Sequence, residues 1–333
     1  MRQKLHKILV TGGAGFIGSE FVRQGARSFP LIVVDKVSYA GDTLRIQEVA
    51  KDITFYKADI TQRARLNKIF SKHKPDVVVH FAAETHVDRS IQDATSFLHT
   101  NVIGTQTLMD LSRQYKVKKI LHISTDEVYG ASTQGRFLET AALKPQNPYA
   151  ATKAAAEHLI RAAINTYAFP AIIIRPANNY GPWQYPEKFI PVCVLKAIHQ
   201  KKVPVYGRGE QIREWLHVSD CVRAIVCIMQ KGRIGETYNI GSYFEQKNLL
   251  TVKAILRYLR KSEELIEFVK DRPGHDFRYS VNCAKLHQLG WRPRILFYKG
   301  LSETIQWYIN HMDWTEKKRR FLESYWKKVY QKA

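Results

Sequence analysis

Short apolar runs and amphipathic stretches alternate along the first half of the chain. The runs at 7–11 (KILVT), 31–35 (LIVVD), 53–59 (ITFYKAD), 76–83 (DVVVHFAA), 118–124 (KKILHIS) and 171–175 (AIIIR) are continuous in Val, Ile and Leu rather than alternating. Such runs predict strands covered on both faces. Between them, helices are predicted over 16–29, 61–73, 95–115 and 149–167. The alternation predicts an α/β fold, a doubly wound parallel sheet with right-handed crossovers. In such sheets ligands bind at the carboxyl ends of the strands. From residue 176 the pattern loosens and Pro and Gly become frequent (Pro176, Gly181, Pro182, Pro186, Pro191, Pro204, Gly207, Gly209). The expected organisation is a nucleotide-binding unit at 1–175, a smaller substrate lobe at 176–310, and a terminal helix at 311–333.

Composition changes this picture little. The chain has 333 residues, 45% of them hydrophobic, enough for a full core. It lacks an apolar run long enough to cross a membrane. The opening MRQKLHKILVTGG runs into a strand and a glycine loop, and does not read as a signal peptide. Four cysteines (Cys193, Cys221, Cys227, Cys283) without CxxC spacing suit buried thiols in a reducing cytoplasm. The net charge of +22 is spread along the chain, without an aromatic-interleaved basic motif, so no nucleic-acid partner is expected. The densest cluster is 311–333, with seven Lys/Arg against three Asp/Glu. Its Trp314, Phe321, Leu322, Tyr325, Trp326 and Val329 recur at helical spacing, predicting a helix packed on the body or on a partner subunit rather than on a membrane.

TGGAGFIG (11–18) ends the first strand and opens the first helix. Gly13, Gly15 and Gly18 satisfy GxGxxG, and Gly12, Gly15 and Gly18 the related GxxGxxG. Such glycines give a tight turn, backbone approach to a pyrophosphate, and close helix–sheet packing. Asp35 ends the second strand, where a carboxylate bonds a ribose 2′-hydroxyl; this favours NAD over NADP, with Lys36 beside it pulling the other way. Asp59, ending another strand, suits either an adenine contact or a cap for the helix that follows.

Tyr149 and Lys153, in PYAATK, lie four apart on one helix face. A lysine cation there would lower the phenol pKa, so that the phenolate removes an alcohol proton as hydride leaves carbon. Ser124 and Thr125 end the preceding strand, and Thr125 is placed to hold the substrate hydroxyl or the tyrosine. Then come two adjacent carboxylates, Asp126 and Glu127. Close carboxylates split their pKa values, leaving one ionised and one protonated. His86 and Asp88 lack a third partner at metal-ligand spacing, and no metal is expected.

On these stretches, with FAAETHVDRSI (81–91), HISTDEVYG (122–130), NNYGPWQYPEKFIP (178–191), GRGEQIREWLHVSD (207–220), GETYNIG (235–241) and DRPGHDFRY (271–279), the chain resembles the nucleotide-sugar 4,6-dehydratases. These are extended short-chain dehydrogenases/reductases with a Rossmann-like sheet. The likeness spans about 5–310. It implies that Tyr149 and Lys153 remove the C4 hydroxyl proton as NAD takes hydride, that Glu127 removes the C5 proton, and that protonated Asp126 gives a proton to the departing C6 hydroxyl. For NAD it implies contacts from Gly12, Gly15, Phe16, Ile17, Gly18, Asp35, Lys36, Ser38, Asp59, Ile60, Phe81, Ala82, Ala83, Thr100, Tyr149, Lys153 and Asn179. For the sugar and diphosphate it implies Thr85, Thr125, Asn178, Lys188 and Phe189. Pro204, Tyr206, Arg213, Asn248, Asp271, Arg272 and His275 match its nucleotide end, and a homodimer through the helices at 95–115 and 149–167 is implied.

Pro176-Ala177 stands where relatives often carry Cys-Ser, and the 130–145 segment is short. The substrate is therefore left open among dTDP-, UDP- and CDP-linked hexoses, GlcNAc derivatives included. A sugar 4-epimerase or decarboxylase shares the glycine loop and YxxxK but not the acid pair. A non-catalytic basic Rossmann protein would have lost Tyr149, Lys153 or the carboxylates.

Overall fold

The apolar runs form the strands of one seven-stranded parallel sheet in the computed structural model, which describes residues 6–132 and 134–330. In chain order, β1 (Ile8–Thr11), α1 (Phe16–Gly25), β2 (Leu31–Asp35), β3 (Ile53–Lys57), α2 (Arg63–His73) and β4 (Val77–His80) come first. Next are α3 (Val87–Gln92), α4 (Ala94–Phe97), α5 (Thr105–Gln114), β5 (Lys119–Ile123), α6 (Pro148–Tyr167) and β6 (Ala171–Pro176). The second half adds β7 (Asn178–Tyr180), α7 (Phe189–Ile198), β8 (Val203–Tyr206), β9 (Ile212–His217), α8 (Val218–Lys231) and β10 (Thr237–Ile240). It ends with β11 (Glu245–Lys247), α9 (Asn248–Tyr258), β12 (Ile266–Val269), α10 (Ala284–Gln288), α11 (Phe297–Asn310) and α12 (Met312–Val329).

The sheet order is β10-β6-β5-β4-β1-β2-β3. Alternation within β1 divides the core: Ile8 and Val10 join the cluster shared with α1 and α8, while Leu9 joins the one shared with α2, α5 and α6. The chain builds outward one way from β1 through β2 and β3, and the other way from β4, so the switch point lies between β1 and β4.

Local chemistry sets the helix ends. The Asn147 side chain accepts from Ala150 N, with Pro148 in the first turn, so α6 begins one residue before Tyr149. The helix expected over 95–115 is not uniform. Asp93 caps α4 through Thr95 N and Ser96 N, and Leu98–Gly104 widens into a π-helical segment before α5. At the start of α5 the Thr105 and Thr107 hydroxyls donate back to the carbonyls of Asn101 and Ile103 in that segment, and such back-bonding bends helices.

The stretch from 176 does not form a separate lobe throughout. Residues of α8 pack in the core under the sheet, and β10 is its edge strand beside β6. The rest builds a three-stranded sheet (β11-β9-β7) and a parallel pair (β12-β8) over a second core. The terminal helix lies on that core through Trp314, Leu322 and Trp326, on the body of the molecule; residues 331–333 of the expected tail, and 1–5 at the other end, fall outside the described residues. Among the described residues no helix is long and apolar enough to cross a membrane.

Candidate active site

A cleft opens at the switch point, with about 1470 Å³ of space between its walls, open solvent included. Its wall gathers residues far apart in sequence. From the first half come Gly12, Gly15, Phe16, Ile17, Gly18, Asp35, Lys36, Ser38, Asp59, Ile60, Phe81, Ala82, Ala83, Thr85 and Thr100. Thr125, Asp126, Glu127, Tyr149, Lys153, Asn178, Asn179 and Lys188 complete the set of expected residues on it.

The glycine loop passes under the strand ends. Gly12 has φ +71°, and a Cβ there would stand 2.5 Å from Ala82 N, so the backbone of β1 and the segment after β4 touch only because no side chain intervenes. No side chain caps α1, and its N-terminal amides face the cleft, an arrangement suited to a pyrophosphate. Asp35 is buried, and accepts from Ala14 N (2.9 Å) and Val37 N (2.7 Å); burial raises its pKa despite those bonds. Lys36 is tied to Glu84 (2.7 Å) and Thr100 Oγ1 (3.3 Å), and lies 3.9 Å from Asp59. It is thus matched by carboxylates rather than free to meet a 2′-phosphate. Asp59 accepts from Thr61 N and Oγ1, both at 2.9 Å, and so makes a turn before α2; Gln62 is the helix's own N-cap.

At the end of β5, Thr125 caps a 3₁₀ turn, Asp126–Tyr129, by accepting from Glu127 N at 3.3 Å. Its hydroxyl donates to Asp126 Oδ1 (3.3 Å), while Asp126 Oδ2 is buried without a partner. Asp126 is 2% exposed. Burial, then the adjacent Glu127, then Glu214 hold its carboxyl well above the usual range, favouring the protonated form; Arg213 and Thr125 oppose this. Glu127 Oε2 accepts from Asn147 Nδ2 (3.3 Å) and from Tyr279 Oη (3.4 Å). The acid pair is therefore anchored to the start of α6, which carries Tyr149.

Lys153 is buried and donates to Ile123 O at 2.7 Å. Burial lowers its pKa to about 8, with Glu157 pulling upward. Tyr149 departs from the sequence-based expectation. Burial first, then Glu127, and more weakly Asp126 raise the phenol pKa, against the Thr125 hydrogen bond, and Lys153 is not among the groups that oppose them. Burial therefore favours the neutral phenol.

The remaining expected residues lie outside the cleft, in the second half. Phe189 opens α7 and stacks on Trp215 (centroids 6.2 Å apart). Pro204 and Tyr206 lie on β8; Tyr206 donates to Asp88 Oδ2 (3.3 Å), while Asp88 Oδ1 accepts from Arg272 Nη1 (3.3 Å). Asp271 accepts from Gln211 Nε2 (2.8 Å) and bonds His275 Nδ1 (2.6 Å). Asn248 N donates to Gln211 O (2.9 Å). Arg213 is buried over the Tyr279 ring and donates to the carbonyls of Ile212 (2.8 Å) and Asp276 (3.0 Å). Tyr279 links this group to Glu127. Arg272 Nε and Asn248 Oδ1 are buried without partners, as are Asn178 Oδ1 and Asn179 Oδ1 beside the cleft. Such groups fit a polar ligand.

Sequence reasoning did not single out Arg45, Gln184, Tyr185 or Glu187, which also line the cleft. Arg45, in TLRIQ, reads as a surface helix residue. It is 1% exposed, and Nη1 donates to Ala14 O (2.9 Å) and Ala40 O (2.5 Å), bracing the glycine loop. Glu187 sits inside the PEKFIP stretch, the one signal that marked its neighbourhood. His86 bonds Glu187 O and Tyr325, and among the described residues no group of three His, Cys, Asp or Glu is placed to hold a metal ion.

A family model described as GDP-mannose 4,6 dehydratase matches residues 9–304. The dTDP-glucose 4,6-dehydratase of Neisseria meningitidis serogroup B is 45% identical, over 93% of this chain and 95% of its own. That of Haemophilus influenzae is 44% identical, over 91% of this chain and 97% of its own. Among solved structures, a dTDP-glucose 4,6-dehydratase from Streptomyces venezuelae, crystallised with NAD, superposes with a TM-score of 0.91 at 41% identity, covering 94% of this chain and 99% of that one. A UDP-glucose 4-epimerase from Thermus thermophilus in complex with NAD gives a TM-score of 0.86 at 28% identity, covering 92% and 99%.

Proposed function

We propose that this chain, which belongs to the nucleotide-sugar 4,6-dehydratase family, binds NAD and converts dTDP-glucose to its 4-keto-6-deoxy product. The observation that carries the reading is the buried Asp126, its carboxyl held toward the protonated form by burial, beside Glu127 and in one cleft with Tyr149 and Lys153. An elimination needs one acid and one base within reach of neighbouring carbons. We assign Tyr149, oriented by Thr125, as the group that takes the C4 hydroxyl proton; burial opposes its phenolate, so the step requires the positive charge of Lys153 together with that of the bound nicotinamide to offset it. Glu127 takes the proton at C5, which the C4 ketone makes acidic. Asp126 gives its proton to the C6 hydroxyl, and water leaves. NAD, when bound, would supply the hydride acceptor for C4 and the hydride donor for C6; as hydride reaches C6, Glu127 returns a proton to C5. Its pyrophosphate would lie on the amides of Phe16 to Gly18 and its adenosine ribose at Asp35, with Lys36 neutralised by Glu84.

For the nucleotide end we assign Arg213, Arg272, Asn248 and the Asp271–His275 segment. Arg272 Nε and Asn248 Oδ1 are buried without partners, and a planar guanidinium suits a diphosphate. We also assign a homodimer through the outward side of the 95–115 stretch and α6, where Leu98 (48%) and Ile103 (53%) of the π-helical segment and Tyr167 (55%) of α6 stand exposed. The four free cysteines suit a cytoplasmic setting.

The test is turnover of dTDP-, UDP-, CDP- and GDP-glucose in deuterated water. The expected product from dTDP-glucose is a 4-keto-6-deoxy sugar with deuterium at C5. Glu127→Gln should still oxidise C4 but stall, with reduced cofactor accumulating. A 4-epimerised product retaining the C6 hydroxyl would overturn the dehydratase assignment.

A further inference from the structure

The function above makes no use of α12, yet this helix touches both sides of the cleft. At its start, Trp314 Nε1 donates to Asp42 Oδ2 (2.9 Å) and Lys318 pairs with the same carboxylate (2.8 Å). Asp42 N in turn donates to Ala14 O, in the glycine loop. Near its end, Tyr325 reaches the opposite wall.

That wall is two segments locked to each other. Lys188 Nζ donates to Thr85 O at 2.7 Å, and His86 Nε2 meets Glu187 O at 3.0 Å. A carbonyl accepts only, so His86 carries its proton on Nε2 and offers Nδ1 as an acceptor. Tyr325 Oη, 3.2 Å from Nδ1, is then the donor. Burial keeps His86 below its ordinary pKa, in line with a neutral ring. The Arg89 guanidinium lies over the same Tyr325 ring, 4.3 Å from its centroid, and over the Tyr39 ring at 4.1 Å. Arg89 Nε donates to Glu187 Oε2 (2.8 Å), and Tyr39 Oη donates to Glu187 Oε1 (2.9 Å). Glu187 is buried, so its carboxylate depends on these partners. Holding Glu187 fixes Lys188, the next residue.

We propose that Tyr325 and Arg89 are positioning residues for the Thr85 and Lys188 segments, and that α12 is a strap setting affinity for the nucleotide sugar. This rests on Thr85 and Lys188 facing the substrate, as assigned above. Tyr325 touches neither Tyr149 nor the acid pair. Its loss should therefore raise KM for the sugar and leave kcat in place.

The experiment compares Tyr325→Phe and Tyr325→Ala with the wild-type enzyme, measuring KM and kcat for dTDP-glucose, copurified NAD, and the Kd of dTDP-glucose to the NAD-loaded protein by calorimetry. Tyr325→Phe, which keeps the ring over Arg89, should raise KM and Kd roughly three- to tenfold, the equivalent of one hydrogen bond. Tyr325→Ala should raise both further, with kcat within about twofold and NAD content unchanged in each. Phe321→Ala, on the exposed side of the same helix (62%), should match wild type. Variants that bind and turn over like wild type, or that lose kcat at constant KM, would overturn the strap. Wild-type protein that binds dTDP-glucose without turnover would instead count against the dehydratase reading, while the Kd comparison still decides the strap. Wild-type protein that does not bind it would overturn both.

Discussion

Asp126 and Lys153 are both buried, and burial moves them in opposite directions, the acid toward keeping its proton and the base toward losing it. For Asp126 the folded pKa lies above the ordinary carboxyl value, so between the two the folded state binds more protons. Stability then falls as pH rises through that window. Asp126→Asn removes the effect: its melting temperature at pH 8 should exceed wild type by about 1–3 °C, the gap closing near pH 4, while kcat falls about 100-fold or more. Calorimetry across pH checks this, and a variant that melts below wild type at pH 8 would mean that Asp126 is ionised in the fold. For Lys153 the folded pKa is depressed to about 8. The folded state then binds fewer protons between about 8 and 10.5, so this group's contribution to stability rises with pH across that window, while its catalytic cation disappears. A pH–rate profile should show kcat falling above about pH 8, and Lys153→Arg, though slower, should lose that limb. At this scale the residue types, and the roles proposed for them, were legible in TDE and YAATK. The directions of the shifts were not, and the lysine-assisted phenolate expected from YxxxK does not follow from the surroundings of Tyr149.

At the scale of elements, α6 carries more than its YxxxK spacing. One turn past Lys153, Glu157 is fully buried (0%) and meets Arg175 of β6 (1%) through both carboxylate oxygens, with Nε at 3.0 and 3.1 Å. Arg175 also donates to Tyr129 Oη (2.6 Å) and Glu139 O (3.2 Å), which ties α6 to the 3₁₀ turn holding the acid pair. Breaking a buried pair strands a charge. Glu157→Gln should cost about 3–5 kcal/mol, or about 4–7 °C in melting temperature, and adding Arg175→Met should recover most of it. A single variant that melts like wild type would show that the pair contributes nothing. Strand positions were readable because continuous Val/Ile runs suit a sheet covered on both faces. The break of the 95–115 helix into α4, a π-helical segment and α5 was not, because Asp93 and the threonine back-bonds act through local hydrogen bonds that periodicity does not register.

For the whole molecule, the exposed Leu98, Ile103 and Tyr167 predict self-association. Wild-type protein should sediment as a dimer, and Leu98→Arg with Ile103→Arg should give a monomer; an unchanged dimer would place the interface elsewhere. The sequence by itself determined what a few neighbouring residues can do. The glycine loop, Asp35, the Asp126–Glu127 pair and Tyr149–Lys153 are each written in short spacings, because helix and strand periods place such neighbours reliably. Only the tertiary structure decided the rest. Arg45 braces the glycine loop from a stretch that reads as surface, residues near 187, 213 and 272 come beside those near 86 and 127, and the last helix reaches both cleft walls. Those arrangements, and the protonation states that follow from burial, depend on distances between residues 31 to 272 positions apart, which no local pattern encodes.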